Sequence, residues 1–141
     1  MTAPHHSNKG FTLLELMIVL VVLGVVAAMV APPVAGMLRS SRLAGATNTL
    51  VSDIYYARSL ANQQRRTFTI LFTDSVHYTL ARTSPAQVYR TRALPRGVRA
   101  TATDTVTFYA WGLTEPVAVT LRADSSSRVL RVGANGSVTR D

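Results

Sequence analysis

Residues 11–31 form an apolar run, FTLLELMIVLVVLGVVAAMVA, in which Glu15 is the one ionisable side chain. A helix of this length is long enough to cross the hydrocarbon core of a bilayer. From Arg39 onward the composition is that of an ordinary soluble domain. The run therefore predicts a single transmembrane helix that is followed by one folded domain outside the membrane.

Glu15 helps to decide between the possible interpretations of this apolar run. A secretory signal peptide has a shorter apolar stretch, about 7 to 15 residues, that ends at a small-residue cleavage site and contains no carboxylate. A plain membrane anchor has the right length, but a charged side chain inside it costs about 2.5 to 3.5 kcal/mol on insertion scales. Neither interpretation explains why the carboxylate is present unless something pairs with it.

The segment KGFTLLELMIVLVVLGVVAAMVAPP closely resembles the type III signal of type IV pilins and pseudopilins. It has a short polar leader ending in Lys9 and Gly10, then Phe11, Glu15, the apolar run and a proline at position 32. The resemblance implies that a prepilin peptidase cleaves after Gly10 and methylates the new amino terminus at Phe11. It also implies a single pass through a bacterial inner membrane, with the carboxyl-terminal head in the periplasm.

Two roles for Glu15 remain open. Inside its own helix the carboxylate lies one turn from the Phe11 amine and in the first turn, where the helix dipole favours negative charge. The family resemblance implies instead that Glu15 pairs with the Phe11 amine of a neighbouring subunit during filament assembly. We favour the second role, because it gives the buried charge a partner in the filament.

Pro32 and Pro33 end the apolar run and predict a kink or local melting of the helix, since proline removes a backbone hydrogen bond and clashes with the preceding turn. Beyond them the pattern predicts an amphipathic helix that ends near Gln64. Its apolar stripe, the predicted packing face for a sheet, comprises Leu43, Ala46, Leu50, Ile54, Ala57 and Ala61. Polar residues are assigned to the other faces, namely Arg42, Asn48, Ser52, Asp53, Arg58 and Asn62.

After Arg66 the hydrophobic period changes to two, which predicts strands. TFTILFT and VHYTLAR form a predicted hairpin around Asp74 and Ser75, and Asn135-Gly136 predicts a tight turn before the last strand. Further strands are predicted at 87–91, 105–109, 117–122, 128–132 and 137–140. The predicted fold is α+β: a long amino-terminal helix, transmembrane in its first half and amphipathic in its second, packed on an antiparallel β-sheet head. The predicted parts are a leader (1–10), a transmembrane or filament-core helix (11–31), its amphipathic continuation (32–64) and the head (65–141).

Within the pilin-like proteins, the head is most similar to the GspH/FimT branch. The similar segments are DIYYARSLANQQRRTFTILF, LPRGV, VTFYAWGLT and RVLRVGANGSVTR. The resemblance implies a minor pilin or pseudopilin, a structural subunit of a type II secretion pseudopilus or a type IV pilus. Its implied partners are the prepilin peptidase, other pilin or pseudopilin subunits and an inner-membrane assembly platform.

The head is strongly cationic. Fourteen arginines and one lysine face seven acidic residues in the chain, a formal net charge of +8. Arginine suits phosphate, because its planar guanidinium donates two parallel hydrogen bonds. One interpretation is a set of solvated strand faces. The alternative, implied by the FimT side of the branch, is a DNA-binding minor pilin that acts in DNA uptake, with candidate contacts at Arg122, Arg128, Arg131 and Arg140 and stacking surfaces at Tyr78, Tyr89, Tyr109 and Trp111.

Little in the sequence predicts chemistry. The chain has no cysteine, and His77 is the one histidine that follows the leader. Asp74, Ser75 and His77 lie together in sequence, but they fall at a predicted hairpin turn, where neighbouring strand residues point to opposite faces. We therefore predict no catalytic residues, no metal site and no cofactor, and do not expect an enzyme.

Overall fold

The structure is a computed structural model that describes residues 11–141, with the backbone alone described for residues 30–35. The chain divides into two compact units, Met1–Met37 and Leu38–Asp141. The predicted leader with its cleavage position at Gly10 lies outside the described residues. The side chains of Pro32 and Pro33 also lie outside them, so the kink stays a prediction.

One helix, α1, occupies Leu13–Gln64. It ends where the periodicity predicts, and the following residue, Arg65, adopts a left-handed conformation with φ of 52°. Such a residue is a common way to terminate a helix. Within the described residues, no helix combines the length and the apolar character that a membrane crossing requires.

Eight strands follow α1 and form two antiparallel sheets. The first sheet has the order β3-β2-β1-β5, and the second has the order β4-β6-β7-β8. The strands are β1 (Phe68–Phe72), β2 (His77–Arg82), β3 (Gln87–Ala93), β4 (Val98–Ala102), β5 (Val106–Phe108), β6 (Val117–Ala123), β7 (Ser126–Val132) and β8 (Val138–Arg140).

Seven of these strands are predicted from the sequence and one is not. The missed strand, β4, has the sequence VRATA, in which the buried positions are Val98 and Ala100. Alanine has a weak preference for strands, so the alternation in VRATA does not predict a strand by itself. The segment forms a strand in the structure by pairing with β6. The predicted turn at Asn135-Gly136 is confirmed: Gly136 has φ of +73°, and its N–H donates to the carbonyl of Gly133 at 2.7 Å.

The hydrophobic core lies between the second half of α1 and both sheets. All six residues of the predicted apolar stripe are buried there, from Leu43 to Ala61. Both sheets contribute alternate residues of their strands, such as Phe68 and Ile70 in β1 and Val119 and Leu121 in β6. The predicted α+β fold, with a long helix packed on antiparallel strands, is confirmed, although the strands form two sheets.

Candidate functional site

The amino-terminal end of α1 is capped by Thr12. The N–H of Glu15 donates to Thr12 Oγ1 at 3.2 Å, and the N–H of Leu16 donates to the Thr12 carbonyl at the same distance. Threonine followed three residues later by glutamate is the sequence pattern of a capping box. Sequence reasoning overlooked Thr12, although the letters TLLE contain this signal. Glu15 therefore lies in the first turn of a helix whose start is fixed by its own side chains.

The first part of α1 exposes apolar side chains on every face. All residues from 11 to 29 are exposed in the single chain, with Phe11 at 84% and Leu13 at 78% of their full accessible surface. A helix that is apolar all round is stable only where lipid or other apolar helices surround it. This segment is therefore the candidate for a contact with lipid or with other chains.

A buried carboxylate joins α1 to the first sheet. Asp53 is 1% exposed, and it accepts hydrogen bonds from the Tyr78 hydroxyl at 2.7 Å, Arg90 Nη1 at 2.6 Å and Arg92 Nε at 2.7 Å. We call these four residues the Asp53 cluster. Arg90 also lies over the ring of Tyr56, 4.9 Å from its centroid. The placement of Asp53 on an outer face of the helix was wrong, because Leu50, Asp53 and Ala57 share one face at spacings of three and four.

The Asp53 cluster compensates the cost of burying a charge. A buried carboxylate is tolerated when it is paired with cations and its lone pairs accept hydrogen bonds. Burial, together with the neighbouring Asp53 carboxylate, raises the pKa of Tyr78, so its hydroxyl remains a donor throughout the physiological range. Arg90 and Arg92 oppose Leu80 and Tyr78 of β2 and therefore point toward the helix from the edge strand β3. Inward-pointing charges on an edge strand also discourage pairing with another chain.

The end of α1 has a second polar attachment to the same strands. Gln64 Oε1 accepts from the Tyr89 hydroxyl at 2.9 Å and from Arg82 Nη1 at 3.4 Å. Arg82 also donates from Nε to the Pro85 carbonyl and from Nη2 to Gln87 Oε1. Three arginines of the first sheet, Arg82, Arg90 and Arg92, thus make side-chain hydrogen bonds to residues of α1.

The four arginines predicted to contact DNA do not form one surface. Directly opposed residues of a sheet lie on the same face. Arg122 opposes Ser127, and Arg131 opposes Ala118 and Thr139, on the outer face of the second sheet. Arg128 opposes Leu121, and Arg140 opposes Leu130, on the face that carries the core. Arg131 is also paired with Asp141, Nε to Oδ2 at 2.7 Å.

The four aromatic residues proposed as stacking surfaces are also divided, two in the interior and two on the surface. Tyr78 is buried in the Asp53 cluster, and Tyr89 packs edge-on against Phe68 with ring centroids 5.1 Å apart. Tyr109 and Trp111 are exposed and stacked on each other, with centroids 6.2 Å apart. The structure therefore leaves one aromatic pair on the surface and uses the other two tyrosines in packing.

Asp74 and His77 stabilise the β1–β2 turn. Asp74 Oδ1 accepts the backbone N–H groups of Val76 and His77 at 2.6 and 2.7 Å, and Oδ2 lies 2.8 Å from His77 Nδ1. The amide of Val76, then the His77 side chain, lower the pKa of Asp74 below its ordinary value of 3.8. Ser75 contributes its backbone carbonyl to the Ala100 N–H. In the part of the chain that the structure describes, no three metal-binding side chains lie together.

The lowered pKa of Asp74 predicts a pH dependence with a definite sign. Its charge stabilises the folded head at pH values above 3.8, and this contribution disappears as the pH falls through the lower pKa of the folded state. Asp74→Asn, which keeps an acceptor oxygen but removes the charge, is expected to be less stable than the original protein at neutral pH and equally stable in strong acid.

Urea unfolding of both proteins across this pH range measures the difference. Asp104→Asn is the matched control, because that exposed carboxylate accepts the N–H of Thr105 and contacts no histidine. A constant difference between the Asp74 variant and the original protein at all pH values would contradict the assignment.

Two family models match consecutive parts of the chain. The model described as "Prokaryotic N-terminal methylation motif" matches residues 5–31. The model described as "Type II transport protein GspH" matches residues 46–137, about two thirds of the chain. The chain belongs to the GspH family. A comparison with curated proteins gave no match.

Solved structures of pilin-like subunits share the fold of this GspH-family chain. The type IV minor pilin FimU of Pseudomonas aeruginosa superposes with a TM-score of 0.62 at 22% identity, covering 72% of this chain and 90% of FimU. The minor pseudopilin EpsH from the type II secretion system of Vibrio cholerae superposes with a TM-score of 0.61 at 8% identity, covering 74% of this chain and 97% of EpsH. The predicted likeness to minor pilins and pseudopilins is thereby confirmed.

Proposed function

We propose that this chain is a minor pilin or pseudopilin that works mechanically, as a subunit of a short filament. The observation that carries the proposal is the exposed apolar start of α1 within the segment that matches the methylation motif. Residues 11–31 insert in the inner membrane, the leader is removed after Gly10, and Phe11 is methylated. The head then stands in the periplasm.

The structure of the first turn supports a role in assembly. Thr12 caps the helix, so the position of Glu15 relative to the new amino terminus at Phe11 is fixed by local geometry. Glu15 is exposed in the single chain, and its carboxylate has no ion pair among the described residues. A neighbouring subunit that supplies its Phe11 amine would satisfy this charge in an apolar surrounding, where an ion pair is strong.

The partners follow from this role. A prepilin peptidase removes the leader, other pilin or pseudopilin subunits cover the apolar helix, and an inner-membrane assembly platform adds the subunit to the filament. The chain itself performs no reaction and requires no cofactor in this proposal. Because the fold matches both a type IV minor pilin and a minor pseudopilin of type II secretion, the proposal covers both kinds of filament.

The geometry supports the DNA-binding alternative less well than it supports the filament subunit. Its four candidate contacts lie on two faces of the second sheet, and Arg131 is already paired with Asp141. A strand of DNA that touched Arg122 would not meet Arg128 or Arg140 on the same face. We therefore retain DNA binding as an outcome to be tested and take the filament subunit as the function.

The intact mass of the protein from its own host's membranes tests the proposal. We expect loss of residues 1–10 and addition of one methyl group at Phe11. A protein with Gly10→Val is the control, because a bulky residue at the cleavage position is expected to preserve the leader. A mass that retains the leader in the original protein, or cleavage near Ala31, would mean that the segment is a plain anchor or a signal peptide.

A further inference from the structure

The outer face of the second sheet is the face directed away from the hydrophobic core. Directly opposed residues of a sheet lie on the same face, so the strand register identifies the members of this one. Arg99 opposes Arg122, and Arg122 opposes Ser127. Next to this row the outer face carries small, uncharged side chains, all exposed or half-buried, at Thr101, Ala118, Thr120 and Val129. The two opposed arginines therefore lie at one end of a largely neutral surface.

A cavity of about 520 Å³ lies at this end of the outer face. Its lining consists of Ser75, Gly97, Arg99, Thr101, Arg122 and Asp124. Both arginines and Thr101 are exposed, so the cavity is a shallow depression that is open to solvent. We call Arg99, Arg122, Thr101 and Ser75 the outer arginine site.

The arginines of this site lack an internal counter-ion. In the part of the chain that the structure describes, no carboxylate forms an ion pair with Arg99 or Arg122. Like charges at directly opposed positions destabilise a sheet. Another arginine of the same face, Arg131, is neutralised by Asp141 at 2.7 Å. Arg99 and Arg122 are thus a repulsive pair, and an anion from outside the chain would relieve the repulsion.

The site also contains neutral hydrogen-bond donors. The hydroxyls of Ser75 and Thr101 line the cavity beside the two guanidinium groups and can donate to the oxygens of an anion. The carbonyl of Ser75 accepts the Ala100 N–H at 2.7 Å, which attaches the β1–β2 turn to the edge of β4. A covered edge position disfavours a ligand that would add to the sheet as a further strand. Asp124, the carboxylate of the cavity, is compensated by Arg39 at 2.7 Å.

The surface around the site favours a protein as the ligand. Small-molecule sites enclose most of their ligand, whereas this site is open. A nucleic acid is bound by a row of cations that follows its phosphates. On the outer face the uncompensated charge is confined to Arg99 and Arg122, because Arg131 is paired with Asp141 and the positions between are neutral. A protein surface, by contrast, combines charged side chains with a neutral contact area.

We propose that the outer face of the second sheet docks a partner protein whose contact segment places at least two carboxylates at the outer arginine site. Guanidinium groups bind carboxylates through two parallel hydrogen bonds. Arg99 and Arg122 supply the charge that selects an acidic segment, and the neutral row that begins at Thr101 and Thr120 supplies contact area. The site belongs wholly to the head, so docking does not depend on the proposed insertion or processing of the amino-terminal segment.

Calorimetric titration of the full-length protein in a neutral detergent tests the site, with hexaglutamate as the probe. We expect saturable binding that weakens as salt is added, because the charges involved are exposed. The double variant Arg99→Gln with Arg122→Gln is expected to bind about 25-fold more weakly, since each exposed ion pair contributes a factor of up to about five. The control, Arg128→Gln with Arg140→Gln, loses the same charge from the other face of the sheet and is expected to bind as the original protein does.

Three further probes test the class of the ligand. Inorganic phosphate, a short DNA duplex and short-chain phosphatidylglycerol are titrated in the same way, and any binding is expected to be affected equally by the two double variants. If one of these probes binds at least as tightly as hexaglutamate and loses affinity only in the Arg99 and Arg122 variant, the assignment to a protein is overturned. If hexaglutamate is weakened equally by both double variants, the site itself is overturned, because binding then follows net charge alone.

Cross-linking in the host identifies the partner. The photoreactive residue p-benzoylphenylalanine replaces Ser127, an exposed residue that opposes Arg122 on the outer face. We expect an adduct with a protein segment that carries neighbouring acidic residues, and we expect this adduct to be lost when Arg99 and Arg122 are changed to glutamine. An adduct that forms equally in that double variant, or no adduct, would contradict the docking.

Folding of the variant is checked independently. Because the substitutions remove a repulsion, the Arg99 and Arg122 double variant is expected to unfold at the same temperature as the original protein or slightly higher. The outcome is separable from the filament proposal: hexaglutamate binding by a protein that retains its leader would support the site while the filament role failed. Correct processing without hexaglutamate binding would do the reverse.

Discussion

Replacement of Asp53 by alanine is expected to lower the free energy of unfolding of the head by about 3 kcal/mol. The change leaves the buried Tyr78 hydroxyl without its acceptor and leaves Arg90 and Arg92 without their counter-ion. Because both arginine side chains are about two-fifths exposed, water recovers part of their loss. For a domain of this size, the expected fall in melting temperature is about 15 °C.

Thermal unfolding of the full-length protein in a neutral detergent, followed by circular dichroism, measures the effect. Asp141→Ala is the matched control, because it breaks an arginine–aspartate pair of the same length, 2.7 Å, between exposed side chains. Exposed pairs contribute about 0 to 1 kcal/mol. Equal losses in the two variants would show that the Asp53 cluster does not hold the helix to the first sheet.

Replacement of Glu15 by alanine is expected to reduce incorporation of the subunit into the filament by about 100-fold or more. Loss of one partner from an ion pair in an apolar environment leaves the other charge uncompensated, at a cost of about 3 to 5 kcal/mol. The measurement is the fraction of the subunit recovered in sheared filaments, relative to its amount in the membrane. Glu115→Ala, the same change at an exposed residue of the head, is expected to have no effect.

Glu15→Gln distinguishes a capping role of this residue from a role that requires its charge. Glutamine at the third helical position can still complete the cap that Thr12 begins. If Glu15 acts only through this cap, Glu15→Gln will assemble normally. If Glu15 pairs with the Phe11 amine of a neighbour, as proposed, Glu15→Gln will be as defective as Glu15→Ala. Normal assembly of both variants would remove Glu15 from the assembly mechanism.

The arginines of the head differ in whether the fold supplies a counter-ion. Arg90 and Arg92 meet the buried carboxylate of Asp53. Arg99 and Arg122 oppose each other across β4 and β6, and among the described residues no carboxylate forms an ion pair with either. The net charge of the sequence therefore includes arginines with an internal counter-ion and arginines without one.

Much of the fold could be predicted because its signals are local. The stripe from Leu43 to Ala61 repeats every three or four residues, and strands such as FTILF alternate every two. Strand β4 was missed because its alternation is carried by small residues. We predicted that Asp53 faces solvent because a single aspartate beside an apolar stripe usually does. Its hydrogen-bond partners lie 25 to 39 residues away in the sequence, so no local pattern reveals them.

The sequence by itself determined the amphipathic second half of α1 and the turn at Asn135-Gly136, and it also contains the capping signal at Thr12 that we overlooked, since each depends on a few neighbouring residues. The tertiary structure alone decided which arginines are neutralised. Arg92 meets Asp53 from 39 residues away, and Arg99 faces Arg122 only because β4 pairs with β6 in one register. Charge pairing and strand register are properties of distant segments brought together, so no local pattern encodes them.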